Sequence, residues 1–127
     1  MQKKINNEAT KVKLLTEVII DGMKTNKAED IVLLDLTKIE NAVCKYFIIC
    51  TGTSSTHIDG ISSSITRTTR NELKERPWHV EGKGVNEWVL LDYVDVVIHV
   101  FSEDLRNYYD LEELWADAVR LDINNED

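Results

Sequence analysis

The chain has 127 residues, with 15 Lys and Arg against 23 Asp and Glu, and a formal net charge of −8. This length fits one domain, and an apolar fraction of 43% is enough for a hydrophobic core. No apolar run approaches the roughly 18 residues of a membrane-spanning helix, and the acidic balance excludes nucleic-acid binding through bulk charge.

Apolar periodicity and turn residues predict eight elements. In chain order these are a helix over 7–25, strands over 31–34 and 46–50, a helix from Ser54 or Ser55 to about 75, strands over 78–81, 87–91 and 94–101, and a helix over 105–119. Continuous apolar strands are typical of sheets covered on both faces. The order predicts an α/β fold with a mixed sheet of about five strands flanked by helices.

The negative charge is concentrated toward the C-terminus. Residues 1–80 hold 12 Lys and Arg and 10 Asp and Glu, a net of +2, whereas residues 81–127 hold 3 and 13, a net of −10. Two interpretations stay open: a solvated acidic face with a frayed tail, or a docking surface for a basic partner.

The cysteine pattern and the N-terminal residues indicate a reducing compartment. Cys44 and Cys50 form no disulfide framework, and residues 1–13 hold neither a secretory apolar segment nor an arginine. We expect a cytoplasmic protein.

The turn at Gly52, Thr53 and Ser54 follows a buried strand and precedes a helix, which is where a phosphate or nucleotide can bind. It lacks the further residues of a P-loop or a dinucleotide fingerprint, and an ordinary helix cap is the favoured interpretation. A nucleotidyltransferase would also need two carboxylates on a nearby strand. Asp92 and Asp95 are three residues apart and cannot share a strand face. We therefore expect no enzyme activity, no metal and no cofactor.

Strand alternation predicts a binding surface instead. Trp88, Leu90 and Asp92 share one face of their strand, and Asp95 and His99 share a face of the next. A tryptophan among acidic and histidine neighbours is typical of a binding hot spot. The alternative is that the last helix covers this face and makes Trp88 part of the core.

Several stretches together resemble the ribosomal silencing factor family, also called the Iojap family. They are the Tyr-Phe-Ile-Ile run at 46–49, Gly-Thr-Ser at 52–54 with His57, Val-Glu-Gly at 80–82, the block over 87–101, and the segment over 106–115. The resemblance covers about residues 8 to 118. From it we predict one domain over 1–118 and an acidic tail over 119–127.

The resemblance implies a nucleotidyltransferase-like topology without the active site. It also implies a translational repressor that binds the large ribosomal subunit through a basic protein, the fourteenth of the universal large-subunit set. Such a protein blocks joining of the small subunit. Because the acidic half of this chain would repel RNA, we expect little direct RNA contact. Organellar members emphasise assembly of the large subunit, which stays an alternative function.

The docking residues predicted from strand alternation and the family's most specific block are Trp88 as anchor, Leu90, Asp92, Asp95 and His99 around it, and Tyr108 and Tyr109, one of them facing the core. Two residues depart from the family pattern. Lys45 stands where Asp is usual, and Val94 stands where Gly is usual, so we expect a turn at Val94 without a positive φ. The sequence leaves a homodimer open.

Overall fold

The computed structural model describes residues 7–123 and places four helices and six strands within them. In chain order they are α1 (Asn7–Thr25), β1 (Glu29–Asp35), β2 (Tyr46–Gly52), α2 (Ser55–Leu73), β3 (His79–Glu81), β4 (Trp88–Asp92), β5 (Val96–Ser102), α3 (Glu103–Tyr109), α4 (Leu111–Leu114) and β6 (Val119–Asp122). Within the described residues, no helix combines the length and apolar character needed to cross a bilayer.

The strands form one mixed sheet in the order β3-β4-β5-β2-β1-β6. Only β2 and β5 pair in parallel among the described strands, and the other four pairings are antiparallel. β2 and β5 lie in the middle of the sheet and are almost wholly buried, as their continuous apolar runs predict. The predicted α/β fold with a mixed sheet is confirmed, with six strands instead of about five.

Each face of the sheet has its own core. α1 and α2 cover one face and pack Ile19, Met23, Ile61 and other apolar side chains onto it, which form the first core. The second core lies on the opposite face, where α3, α4 and neighbouring loops cover only part of the sheet. That partial cover leaves the end of this face at β4 and β5 open.

The predicted last helix over 105–119 is wrong. α3 ends at Tyr109, its C-cap Asp110 has a left-handed φ of 49°, and α4 lasts only four residues. The chain then turns back, and β6 pairs antiparallel with β1. The apolar spacing nevertheless identified residues that face the sheet, because Leu105, Leu111 and Trp115 all pack against the second core.

The strand β6 also changes the expected domain boundary at 118. Residues 119–122 belong to the sheet instead of to a tail, because their backbone completes the hydrogen bonding of β1. Residues 124–127, the rest of the expected tail, lie outside the described part of the chain.

Candidate docking surface

The alternation of β4 puts Trp88, Leu90 and Asp92 on the partly covered face, while Val89 and Leu91 are buried in the first core. In the register with β5, Leu90 lies opposite His99 and Asp92 lies opposite Val97. The structure therefore brings Trp88, Leu90, Asp92 and His99 to one surface, as the alternation of side chains along a strand predicts.

An apolar groove of about 460 Å³ runs along this surface where the helices do not cover it. We call it the docking groove and define it by its lining: Val43, Phe47, Trp78, Leu90, Asp92, Val94, Val97 and His99. Trp78 is 80% exposed and Val43 is 71% exposed, although both side chains are large and apolar. Exposed apolar groups gathered in a concave surface are typical of a protein-binding site.

Sequence reasoning missed Trp78, Val43 and Val94 as part of this site. Trp78 follows Pro77 in the connection after α2, and Val43 lies in the loop before β2. The predicted strand over 78–81 contains Trp78, but the structure begins β3 one residue later, at His79. Val43 belongs to no predicted element, and no pattern in the sequence connects either residue to Trp88.

Trp88 lies beside the groove and is half-buried. Its ring centroid is 4.6 Å from that of Tyr109 on α3 and 4.8 Å from that of Phe101. Its indole N–H donates to His99 Nδ1 at 3.1 Å. α3 therefore packs on Trp88, as the second interpretation of this face expects, whereas no helix covers the groove beyond Leu90. The binding hot spot stays a prediction.

His99 is buried, with 5% of its surface exposed. Because Nδ1 accepts from Trp88, the ring proton belongs on Nε2, which has no hydrogen-bond partner among residues 7–123. Burial lowers the pKa of His99 to about 4, against a smaller opposing effect of Glu112. At neutral pH the imidazole is uncharged, and it packs between Trp88 of β4 and Phe47 of β2.

Val94 occupies the turn between β4 and β5 with a φ of +77°, so the expectation of a turn without positive φ is wrong. The Asp92 carboxylate accepts the Val94 N–H at 2.8 Å, and the Tyr93 N–H donates to the Val96 carbonyl at 2.8 Å. These bonds hold the turn in the left-handed region despite the β-branched side chain. A non-glycine residue there costs on the order of 1–3 kcal/mol, and such strain is concentrated at functional sites.

The remaining predicted residues are not all brought together. Asp95 precedes β5, pairs loosely with Lys45 at 3.9 Å, and lines a different cavity, beside α1 and α2. Tyr108 is 78% exposed and lies on α3, outside the groove lining. Neither tyrosine is buried, which contradicts the expectation that one faces the core, although Tyr109 packs against Trp88.

A partly buried arginine fixes α3 and α4 beside this surface. Arg106 donates through Nη1 to the Asp30 carbonyl at 2.7 Å and to Thr51 Oγ1 at 2.8 Å, and through Nε to Glu112 at 3.1 Å. Asp30 is at the bulge of β1 with a φ of 51°, which turns its carbonyl out of the ladder. The side chains of Arg106 and Glu112 are only 11% and 12% exposed.

The turn at Gly52, Thr53 and Ser54 is built as a helix cap. Ser54 accepts the His57 N–H at 3.0 Å, and Thr53 donates its N–H to His57 Nδ1 at 2.9 Å. A side chain at Gly52 would lie 2.6 Å from Ile58, so close packing explains the glycine.

The cavity at that turn has the wrong charge for a nucleotide. It measures about 420 Å³, and its charged lining consists of the carboxylates of Glu29, Glu87, Glu103 and Asp104, without a cation among the described residues. Residues 7–123 contain no group of three or more His, Cys, Asp or Glu that could hold a metal ion to offset those carboxylates.

Comparisons with known proteins identify relatives over most of the chain. The family model described as ribosomal silencing factor during starvation matches residues 8–127. The ribosomal silencing factor of Bacillus subtilis is 36% identical over 113 residues, which are 88% of this chain and 93% of that protein. The mouse protein named mitochondrial assembly of ribosomal large subunit protein 1 is 26% identical over 79% of this chain and 44% of its own length.

A solved structure has the same fold. The crystal structure of a Chromobacterium violaceum protein superimposes with a TM-score of 0.77 at 30% identity, over 82% of this chain and 85% of that one. The six-stranded mixed sheet with flanking helices therefore has an experimental counterpart.

Proposed function

This chain belongs to the ribosomal silencing factor family, and from that premise we propose that it represses translation by binding the large ribosomal subunit and blocking the small subunit from joining. Exclusion of this kind requires a rigid domain on the joining surface and no chemical reaction. The cytoplasm is the compartment that we propose for it.

The docking groove is the observation that supports the proposal most directly. Its apolar lining offers an exposed tryptophan, and Asp92 adds a carboxylate to the same cavity. We propose that the partner is a basic ribosomal protein, universal large-subunit protein fourteen. An apolar anchor beside acidic charge suits such a partner, because charge complementarity orients the encounter and burial of apolar groups holds the complex.

We keep the predicted docking residues in this proposal with different roles. Leu90, Asp92 and His99 line the groove directly, whereas Trp88 and Tyr109 support it from the side. Asp95 and Tyr108 lie outside the groove and would contribute only at the rim of a larger interface.

The first experiment is cosedimentation of the purified protein with isolated large subunits, followed by addition of small subunits. We expect association and a dose-dependent loss of joined ribosomes. If the protein does not sediment with large subunits, or if joining proceeds unhindered at saturation, the proposed function is wrong.

The residue test uses Trp78→Ala, because a side chain that is 80% exposed can be removed without harm to the fold. We expect a loss on the order of 2–4 kcal/mol of binding to the purified ribosomal protein, or about 30- to 1000-fold in affinity. Leu114→Ala is the matched control, since Leu114 is 71% exposed but lies outside the groove. Equal losses in both variants would contradict the placement of the site.

Assembly of the large subunit is the second candidate function, and the name of the mouse relative favours it. Ribosome profiles of a deletion strain discriminate the two. If the protein is purely an assembly factor, its deletion leaves immature large subunits during growth. If it is a silencing factor, its deletion leaves normal subunits and an excess of joined ribosomes under starvation. A nucleotide-binding enzyme is the least favoured alternative, and calorimetry with a nucleoside triphosphate and Mg²⁺ tests it.

A homodimer through the open groove would compete with ribosome binding. Light scattering across a dilution series measures the oligomeric state, and Trp78→Ala should shift it toward the monomer if the groove is the interface.

A further inference from the structure

A cationic cavity lies on the face of the sheet opposite the docking groove. It measures about 380 Å³ and is enclosed by α2 together with β3, β4 and the loop between them. Arg67, Arg70 and Lys83 line it, with the hydroxyl residues Ser63 and Thr66, and no acidic residue of the described chain belongs to the lining. In a chain of net charge −8 this is an exception, as the carboxylate-lined cavity at the 52–54 turn illustrates.

Two of the cations are available to a ligand. Arg67 and Arg70 are exposed and three residues apart, so their side chains share one side of α2. Within residues 7–123 neither guanidinium forms an ion pair or a hydrogen bond. Lys83, by contrast, donates to Asp59 at 2.8 Å and to Ser63 at 3.3 Å, which partly neutralises its charge and holds it at the wall.

We infer that this cavity binds the sugar-phosphate backbone of ribosomal RNA on the large subunit, an inference that rests on the proposed function. Guanidinium groups form forked hydrogen bonds that match the oxygens of a phosphate. The Thr66 hydroxyl donates to the Ser62 carbonyl at 3.0 Å and can still accept a hydrogen bond, whereas the Ser63 hydroxyl accepts from Lys83 and can still donate one. Together they suit the 2′-hydroxyl of ribose, which both donates and accepts. The apolar floor, formed by Pro77, Val80 and Leu91, is compatible with the face of a sugar.

The net charge of the chain does not oppose this contact. At physiological salt, charges more than about 8 Å apart are largely screened. The potential at a bound phosphate is therefore set by the charges nearest to it. Of these, Lys83 is paired with Asp59, whereas Arg67 and Arg70 pair with no carboxylate of residues 7–123. The expectation of little direct RNA contact came from the overall charge, which describes long-range steering and not one local cavity.

The cationic cavity is adjacent to the docking groove along the chain. Pro77 lines the cationic cavity, and the next residue, Trp78, lines the docking groove. The two sites thus meet at the β3 edge of the sheet, on opposite faces. A protein component seated in the groove would place adjacent RNA within reach of the arginines, so that one edge of the domain contacts both components of the ribosome.

The test compares Arg67→Gln/Arg70→Gln with Lys11→Gln/Lys13→Gln, an equal loss of charge from exposed residues of α1. Affinity for isolated large subunits is measured between 0.05 and 0.3 M salt. Each lost phosphate contact lowers the slope of log affinity against log salt by about 0.8, so the arginine variant should lose about 1.6 of slope and roughly 30-fold in affinity at 0.1 M. The lysine variant should bind like wild type.

Two further arms assign the effect to RNA. The arginine variant should bind the purified ribosomal protein as tightly as wild type, and an Arg70→p-benzoylphenylalanine variant should crosslink to ribosomal RNA on the subunit. An unchanged salt slope, an equal loss in the lysine variant, or crosslinks to protein alone would overturn the inference while leaving the proposed function intact. Failure of the wild-type protein to bind large subunits would overturn both.

Discussion

Replacing Val94 with glycine should make the domain more stable and a poorer binder at the same time. Val94 holds a φ of +77° in the turn between β4 and β5, and it is the only β-branched residue among the described non-glycine residues with positive φ. Its side chain is 61% exposed at the rim of the docking groove. The exposed isopropyl group adds little to the stability of the fold, whereas a bound partner would pack against it.

The expected magnitude follows from two opposing terms. Relief of the left-handed strain favours glycine by about 1–3 kcal/mol, and the greater freedom of glycine in the unfolded chain costs about 0.5–1 kcal/mol. The net effect is a stabilisation of about 1 kcal/mol, or roughly 3–5 °C in Tm for a domain of this size. Loss of the apolar side chain from an interface should weaken docking by about 1 kcal/mol, or roughly fivefold.

The assays are urea unfolding followed by fluorescence, and binding to the purified ribosomal protein. Val85→Gly is the control, since Val85 is 70% exposed, lies outside the groove and has no positive φ. That variant should lose about 0.5–1 kcal/mol of stability and keep its affinity. If Val94→Gly is destabilised as much as the control, the turn is not strained. If it binds like wild type, Val94 is not part of the interface.

Three other predictions follow from buried polar groups. Arg106→Ala should lower stability by about 3 kcal/mol in urea unfolding, because Glu112 would be left buried without its partner; the Arg106→Ala/Glu112→Ala double variant should recover part of the loss, and no recovery would contradict the pairing. Burial lowers the pKa of folded His99 to about 4, below its unfolded value of about 6.5. The free energy of unfolding should therefore be unaffected by His99 above about pH 6.5 and should fall by about 3 kcal/mol as the pH is lowered toward 4. His99→Gln should show a correspondingly smaller loss of stability in unfolding curves at a series of pH values. Burial raises the pKa of Cys50 to about 12 and that of Cys44 to about 11, so a thiol reagent at pH 8 should modify both quickly only after unfolding; rapid modification of native Cys50 would refute its burial.

Local pattern predicted most of the fold. The three-and-four spacing of α1 gave its bounds, and Ser54 caps α2 as its position before the helix indicated. The continuous apolar runs of β2 and β5 predicted their burial between two layers. These features depend on neighbours within one or two turns of chain, which periodicity detects. Strand alternation likewise placed Leu90, Asp92 and His99 on one surface.

The break at Asp110 could not be predicted in the same way. The apolar spacing from Leu105 to Trp115 continues through it, but Arg106 is bound by Thr51, by the Asp30 carbonyl and by Glu112. Asp30 and Thr51 are distant in sequence from Arg106, so the contacts that fix α3 exist only after the sheet has formed. The same return of the chain converts residues 119–122 from an expected tail into strand β6.

By itself the sequence determined the α/β class, the family resemblance and which residues of β4 and β5 share a face, because each of these follows from the identity and spacing of residues close along the chain. Only the tertiary structure decided what covers that face. It brought Trp78, Val43 and Val94 from three separate connections to one groove. It also set Arg67 and Arg70, which pair with no residue of 7–123, against the β3–β4 edge. The physical reason is that exposure and pairing are properties of a side chain's neighbours in space, and for loop residues those neighbours leave no periodic trace in the sequence.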